Sequence, residues 1–477
     1  MFQKMKRGLA LILAGTMLCA ALAGCSGNRT GNTDAENVLQ VQPEMYDASY
    51  WASLSRGSGD LLLSTTEIAQ LNTQTAASVS SVVDLVTYPS ELSASVLNSY
   101  LAEYELPEGN LYGADGSVIY EAPVVTYDEE GNEIQPEESS TYLDDIRTNM
   151  NLDAIAATNR VSYALTLQNT SIRRFPSSDR VFASAEDQSE DLFLQAPLVI
   201  GEPVVVLHTS ADQTWYYVQL RNCRGWVYWS DLVFLEKSAW VSYIESTDFI
   251  VVTDASITIT PPNPTDSRLT LYMGTVLPIY SDAPDSINGQ STEGCYVVRV
   301  PAKDRFGNLE YSPLLIPMGS GVSYGFLPYT YENVLEEAFK LAGEKLHTRG
   351  LSYGWDADRF FTTIYKTFGI YLPFTIADQR SMSCIDSDLT QMSGRERNNY
   401  FSNLSPGTQL YSASSAFIYL GSVNGVHYIL HPATSFFVGE TRYTANSILI
   451  TTMDVIQESG LSYYDAMTLG RVFGIAG

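Results

Sequence analysis

The sequence predicts a multidomain α+β protein: an N-terminal, mainly helical segment, two small all-β barrels in tandem, and a C-terminal α+β domain. Three observations predict it. The chain has 477 residues, more than one hydrophobic core usually serves. Between about residues 161 and 327, short β-rich runs are separated by turn residues, and the theme occurs twice. After residue 330, helical periodicity gives way to strand patterning around an Asn424-Gly425 turn.

The net charge of −27 restricts the partners. Little here would neutralise phosphates, so nucleic acid is excluded as a partner. Attachment by charge alone to an anionic wall or lipid surface is disfavoured for the same reason. Recognition of neutral or zwitterionic groups in shaped clefts fits better.

The first residues carry a compartment signal. Lys4, Lys6 and Arg7 form a basic start, and residues 8–23 form an apolar run too short to span a membrane comfortably. The run ends in Leu22-Ala23-Gly24-Cys25, which resembles the lipobox of bacterial lipoproteins. The resemblance implies cleavage before Cys25 and lipid on its sulfur. Several acyl chains anchor stably where one would be marginal. The alternative is an ordinary secretory signal with an incidental cysteine. Cys19 leaves with the signal, so Cys223, Cys295 and Cys384 remain. An odd set at wide spacing has no metal or framework pattern. The three read as small core residues, with one disulfide left open, and no cofactor is implied.

Residues 26–43 are polar and read as a flexible tether. Next, Ser64-Thr65-Thr66-Glu67 approximates a capping box before Ile68 and Leu71. Leu92, Val96, Tyr100 and Leu101 share one predicted helix face, and residues 112–140 read as an acidic loop or short hairpin.

Strand patterning then takes over. Tyr163 to Leu167, Val204 to His208 and Tyr216 to Leu220 read as short strands, followed by Gly225-Trp226-Val227. His208 reads as a strand histidine that holds a loop rather than as a catalytic group. The second set comprises Ile250 to Thr253, Leu271 to Pro278 and Tyr296 to Pro301, with a turn at Phe306-Gly307-Asn308.

In the C-terminal domain, Val334, Leu335, Ala338, Phe339 and Leu341 mark one helix. Phe360, Phe361, Ile364, Tyr365 and Phe368 recur at helical spacing and mark another, which Gly369 stops. Residues 374–403 read as polar and irregular, with one short helix near 396–401. Ala416 to Gly421 and His427 to His431 then form a hairpin around Asn424-Gly425.

Tyr353-Gly354-Trp355 precedes the second helix, and Phe368-Gly369-Ile370-Tyr371-Leu372-Pro373 follows it. This pattern resembles the start of the catalytic domain of the NlpC-type cell-wall peptidases, which are papain-like cysteine peptidases. The preceding barrels resemble the bacterial SH3-like domains of the same architecture. The helical segment resembles its N-terminal stabilising region, which packs against the other modules. The implied divisions are 1–24 signal peptide, 25–45 tether, 46–152 stabilising region, 160–236 and 245–328 SH3-like barrels, and 330–477 papain-like domain.

A cysteine peptidase needs a thiolate at a helix N-terminus, a base beside it and a group that orients the base. Counting back from Pro373 puts Asp356 on the family's Asp, Ala357 on its nucleophilic Cys and Asp358 on its Ser. The Ile418-Tyr419-Leu420-Gly421 run puts Ser415 on the base and His431 on the third group. Two of three catalytic positions are therefore not competent, and only His431 is retained. The Gly-rich residues usual between Trp355 and Asp356 are also absent.

Asp356 and Tyr353 stay open to a binding role. In the family the matching Asp holds the free amine of an N-terminal L-Ala on a stem peptide, and the Tyr shapes the oxyanion site. Together with His431 they are the expected ligand-binding residues. Asp356 and Asp358 also suit the positive end of a helix, and Arg359 reads as a surface charge.

Three readings follow. The first is a lipid-anchored, inactive NlpC-type protein that binds peptidoglycan stem peptides or a partner hydrolase. The second is an active endopeptidase cutting the γ-D-glutamyl bond to a diamino acid, which requires Cys384 at the helix start. The third is an assembly lipoprotein whose cleft is filled by side chains such as Phe360 or Tyr411. A Ser415–His431 hydrolase is disfavoured, because no nucleophile elbow surrounds Ser415.

Overall fold

The computed structural model describes residues 38–39, 41–122, 126–127, 133–134, 141–186, 188, 190–263, 267–346 and 357–474. The C-terminal domain is built on a six-stranded antiparallel sheet. Its order is Ile385–Asp388, Leu469–Val472, Gln409–Tyr411, Ala416–Val423, Val426–Val438, Thr441–Thr452. The helices Tyr331–Lys340 and Ala357–Lys366 cover one face. The helix Gly394–Asn403 covers the other through Phe401, which packs with Phe417 and Tyr419.

The aromatic spacing in the Ala357–Lys366 helix does what it predicts. Phe360, Phe361, Ile364, Tyr365 and Phe368 are all buried in one cluster with Ile418, Leu420 and Leu430 of the sheet. Gly369 ends the helix at φ +75°, and an added Cβ would lie 2.7 Å from the Phe326 ring. Only glycine combines that backbone with that approach. Asn424 and Gly425 both take positive φ (53° and 81°) in the two-residue turn between Val423 and Val426.

The first barrel is a seven-stranded antiparallel sheet. Its order is Leu232–Leu235, Ser162–Thr166, Pro203–Thr209, Trp215–Gln219, Arg224–Tyr228, Thr170–Arg173, Leu194–Leu198. Along Pro203–Thr209, Val204 and Val206 enter one apolar cluster, and Val205 and Leu207 enter another. Both faces are covered, so the strand reads as a continuous apolar run. The second set of strands forms smaller antiparallel units around Ile250, Val252, Leu277, Val298 and Ile316.

Among its described residues, the N-terminal segment has no core of its own. Trp51, Ile68 and Leu71 are buried in the C-terminal domain's cluster, whereas Leu97, Leu101, Leu143 and Ile146 are buried with Trp226 of the first barrel and Trp240 of the Lys237–Ile244 helix that follows it. The segment ties the modules together. The Thr65–Ser78 helix begins with a reciprocal Ser64–Glu67 capping box. Its Asn72 then clamps the turn after the central helix, Ala357–Lys366: Nδ2 donates to the Gly369 carbonyl (2.8 Å), and Oδ1 accepts from the Tyr371 amide (3.0 Å).

Several expectations are corrected. The tether does not extend to residue 45, because Leu39 and Met45 are buried against the C-terminal domain. Trp51 Nε1 donates to the Met45 carbonyl at 2.7 Å, which fixes the entry of the chain. Leu92 sits in a short strand, Glu91–Ser93, and the helix is Ala94–Leu101 with Leu97 inward and Val96 exposed. Leu271 to Pro278 is two strands broken by Gly274, at φ +79°. Residues 374–403 are more regular than they read. Ile376–Ser381 is a helix capped by Thr375, and Ile385–Asp388 pairs with Leu469–Val472. Cys223, Cys295 and Cys384 are all free thiols, so none of them is paired in a disulfide.

Among the described residues, no helix is long and apolar enough to cross a membrane. Cys25 and the lipobox lie outside them.

Candidate functional site

Of the residues expected at the catalytic positions, Ser415 and His431 line one cleft, and Ala357 is not among the residues that line it. Ala357 opens the central helix. Ser415 immediately precedes the Ala416–Val423 strand, and His431 lies on the neighbouring Val426–Val438 strand. Tyr353 and Asp356 lie outside the described residues.

Ser415 and His431 line one open cleft of about 470 Å³, together with Phe417, Ser435, Glu458 and Tyr463. They do not hydrogen-bond to each other. The Ser415 amide donates to Ser412 Oγ at 3.0 Å, and the Ser415 carbonyl accepts from the Ser412 amide at 2.8 Å. Both bonds define a tight turn rather than a nucleophile elbow.

His431 is committed to the protein. Its Nδ1 lies 3.0 Å from the Pro432 carbonyl and its Nε2 lies 3.0 Å from Thr451 Oγ1. A carbonyl only accepts, so Nδ1 carries the proton in the neutral ring, and Nε2 accepts from the threonine hydroxyl. Phe417 and Tyr463 pack on the ring with centroids at 5.1 and 4.5 Å. Burial lowers the pKa to about 4, against the opposing pull of the Pro432 carbonyl. The ring is therefore neutral near pH 7. It is only 2% exposed, and both of its nitrogens are engaged by protein groups. It forms a wall of the cleft.

Cys384 lies between the Ile376–Ser381 helix and the Ile385–Asp388 strand, not at a helix start. Burial raises its thiol to about 11 despite the nearby Arg471. Arg471 is fully buried and forked onto Asp386, with Nε–Oδ1 and Nη2–Oδ2 both 2.7 Å. It also donates to the carbonyls of Gln379, Arg380 and Met382, so the whole segment around Cys384 is pinned. A thiol held protonated there is a poor nucleophile.

Arg359 is buried (6% exposed), not a surface charge. It lines a cavity between the central helix and the first barrel, beside Cys223 and Phe374. Phe360 and Tyr411 are fully buried in the core beneath the sheet and are not among the residues that line the cleft.

His208 behaves as its strand position suggests. Its Nε2 lies 3.1 Å from the carbonyls of both Met150 and Asn151 and ties the N-terminal segment to the first barrel.

The second wall of the cleft is not legible in the sequence. Ser435 donates to Glu458, and Arg442 Nε donates to Glu458 at 2.9 Å. The one signal is the small and hydroxyl-bearing run Ala433-Thr434-Ser435 just after His431. Glu458 lies on a turn with no periodicity to place it.

A family model for the SH3 domain of SH3b1 type matches residues 180–228, within the first barrel. No curated protein matches the chain. Among solved structures, an NlpC/P60 endopeptidase from Photobacterium damselae subsp. piscicida aligns over 89% of this chain and 96% of its own, with TM-score 0.64 and 16% identity. An NlpC/P60 family protein from Bacillus cereus ATCC 10987 aligns over 66% of this chain and all of its own, with TM-score 0.46 and 14% identity. The chain thus has the multidomain fold seen in the first of these two structures, with an SH3b1-type domain inside it.

Proposed function

We propose that the protein is a lipid-anchored, extracytoplasmic cell-wall protein whose NlpC-type domain binds peptidoglycan stem peptides without cutting them. One observation carries the reading. Ala357 opens the central helix and Ser415 immediately precedes the Ala416–Val423 strand, and neither residue carries the thiol or imidazole that a cysteine peptidase would need there. His431, neutral and fully hydrogen-bonded, supports it as a structural remnant. Cys384, buried and held protonated, offers no replacement nucleophile. Asp356 is the residue proposed to hold the free amine of the stem peptide, with Tyr353 beside it. Binding would then rest on cleft shape and one carboxylate, as suits a strongly acidic chain. A partner hydrolase is the other ligand this surface would serve.

Two experiments test this. Calorimetry with stem peptides carrying a free N-terminal L-Ala should show saturable binding that Asp356→Ala weakens about tenfold or more. Absence of binding would instead favour an assembly lipoprotein. Labelled palmitate should be incorporated by the wild-type protein, and Cys25→Ala should release the chain from membranes. Retention of the variant on membranes would remove the anchor from the proposal.

A further inference from the structure

Two adjoining cavities lie where the first barrel, the second barrel and the C-terminal domain meet, away from the Ser415 cleft. One, of about 90 Å³, is bounded by Gly201, Arg221, Tyr243, Phe249, Phe326 and Tyr371 among others. The other, of about 100 Å³, shares Glu202, Arg221, Lys366 and Tyr371 with it. The first has room for about three waters, or one small polar group.

The charges at this junction run against the rest of the chain. The charged groups that line it are Glu202 against Arg221, Lys366 and Arg359, within a protein of net charge −27. Lys366 neutralises Glu202 at 2.6 Å. Arg221 has no ion pair or side-chain hydrogen bond among the described residues. Its guanidinium is stacked on Tyr371 at 4.4 Å from the ring centroid, which fixes its plane while its N–H groups have no protein acceptor among the described residues.

A second observation points into the same space. Tyr243 is 6% exposed, and its hydroxyl has no hydrogen-bond partner among the described residues. The hydroxyl lies against Gly201, which has φ +77° and whose added Cβ would come within 2.6 Å of it. A buried hydroxyl without a partner costs stability. Burial also raises its pKa, so it stays a donor.

We propose that this junction binds a small carboxylate, with the Arg221 fork taking its two oxygens and the Tyr243 hydroxyl as a further donor. A planar guanidinium matches a carboxylate bidentately. The volume admits a group the size of a peptide's terminal carboxyl and little more. Because the walls come from three modules, an occupied site would stiffen their relative placement. The inference does not depend on whether the Ser415 cleft binds stem peptides.

The test uses the full chain in detergent and compares N-acetylglycine with N-acetylglycine amide by ligand-observed NMR and calorimetry. The acid should bind saturably and raise the thermal midpoint, and the amide should do neither. Arg221→Gln should weaken the acid about tenfold or more. Tyr243→Phe should weaken it several-fold without lowering the midpoint of the unliganded protein, because the hydroxyl has no partner to lose. Glu202→Gln should strengthen it by freeing Lys366. Equal behaviour of acid and amide, no saturable binding of the acid, or unchanged affinity in both Arg221→Gln and Tyr243→Phe would overturn the proposal.

Discussion

His431 and Thr451 meet across the C-terminal hairpin, with the imidazole Nε2 3.0 Å from the threonine hydroxyl. His431 pairs with Leu449 and Thr451 pairs with Ile429, so the contact is diagonal and on one face. Burial lowers the ring's pKa to about 4, against the opposing pull of the Pro432 carbonyl, so the ring is neutral near pH 7. An unfolded histidine titrates near 6.5. Below that pH the unfolded chain takes up a proton that the folded chain refuses until about pH 4. Stability is therefore lost progressively between the two values, by up to about 3 kcal/mol. Urea unfolding of wild type and His431→Gln from pH 7.5 to 4 should show the gap between them narrowing as the pH falls. A gap independent of pH would show that the ring is not buried neutral.

His208 sits on a barrel strand but serves a loop. Substituting His208→Ala leaves the Met150 and Asn151 carbonyls without their shared donor. A destabilisation of about 1–2 kcal/mol is expected, with no change in affinity for stem peptides. Loss of affinity in a variant that remains folded would instead put His208 in a ligand site.

Gly369 ends the central helix with φ +75°, under the Phe326 ring. Gly369→Ala adds both backbone strain and a 2.7 Å approach. The turn it makes is also the one that Asn72 holds. A loss of about 2 kcal/mol or more is expected in urea unfolding. A loss below about 0.5 kcal/mol would show that Phe326 moves aside freely.

Much of this architecture is legible in local pattern. The aromatic spacing from Phe360 to Phe368, the Asn424-Gly425 turn and the Ser64–Glu67 box are each decided within a few residues, and each is found in place. What is not legible depends on distant partners. Ile385–Asp388 is a polar strand that exists because Leu469–Val472 pairs with it and Arg471 forks onto Asp386. Leu39 reads as tether because its burial partners, such as Phe401 and Phe436, lie far along the chain. Arg359 reads as exposed because its helix alone gives no hint that the first barrel covers it. At the candidate site, the positions of Ala357, Ser415 and His431 follow from flanking motifs. The commitment of both His431 nitrogens, and the Glu458 wall, follow only from tertiary contacts.

Cys384 is the natural suspect for a displaced nucleophile. Burial raises its thiol to about 11, so its thiolate fraction at pH 8 is about a hundredfold below that of an ordinary cysteine. Iodoacetamide labelling of the folded protein at pH 8, read by peptide mapping, should leave Cys384 largely unmodified while the denatured chain labels fully. Rapid labelling in the folded state would restore Cys384 as a reactive group.

The C-terminal domain is expected to bind stem peptides and not to cut them. The most direct test incubates the soluble chain from Ser26 onward with muropeptides bearing a free L-Ala stem, follows products by mass spectrometry, and measures binding in the same samples. The expected result is binding with no new product, even on prolonged incubation, and binding weakened by Asp356→Ala. Appearance of a product cleaved between D-glutamate and the diamino acid would contradict the account. Sensitivity of that product to Cys384→Ala or to Ser415→Ala would then say which residue had been misjudged.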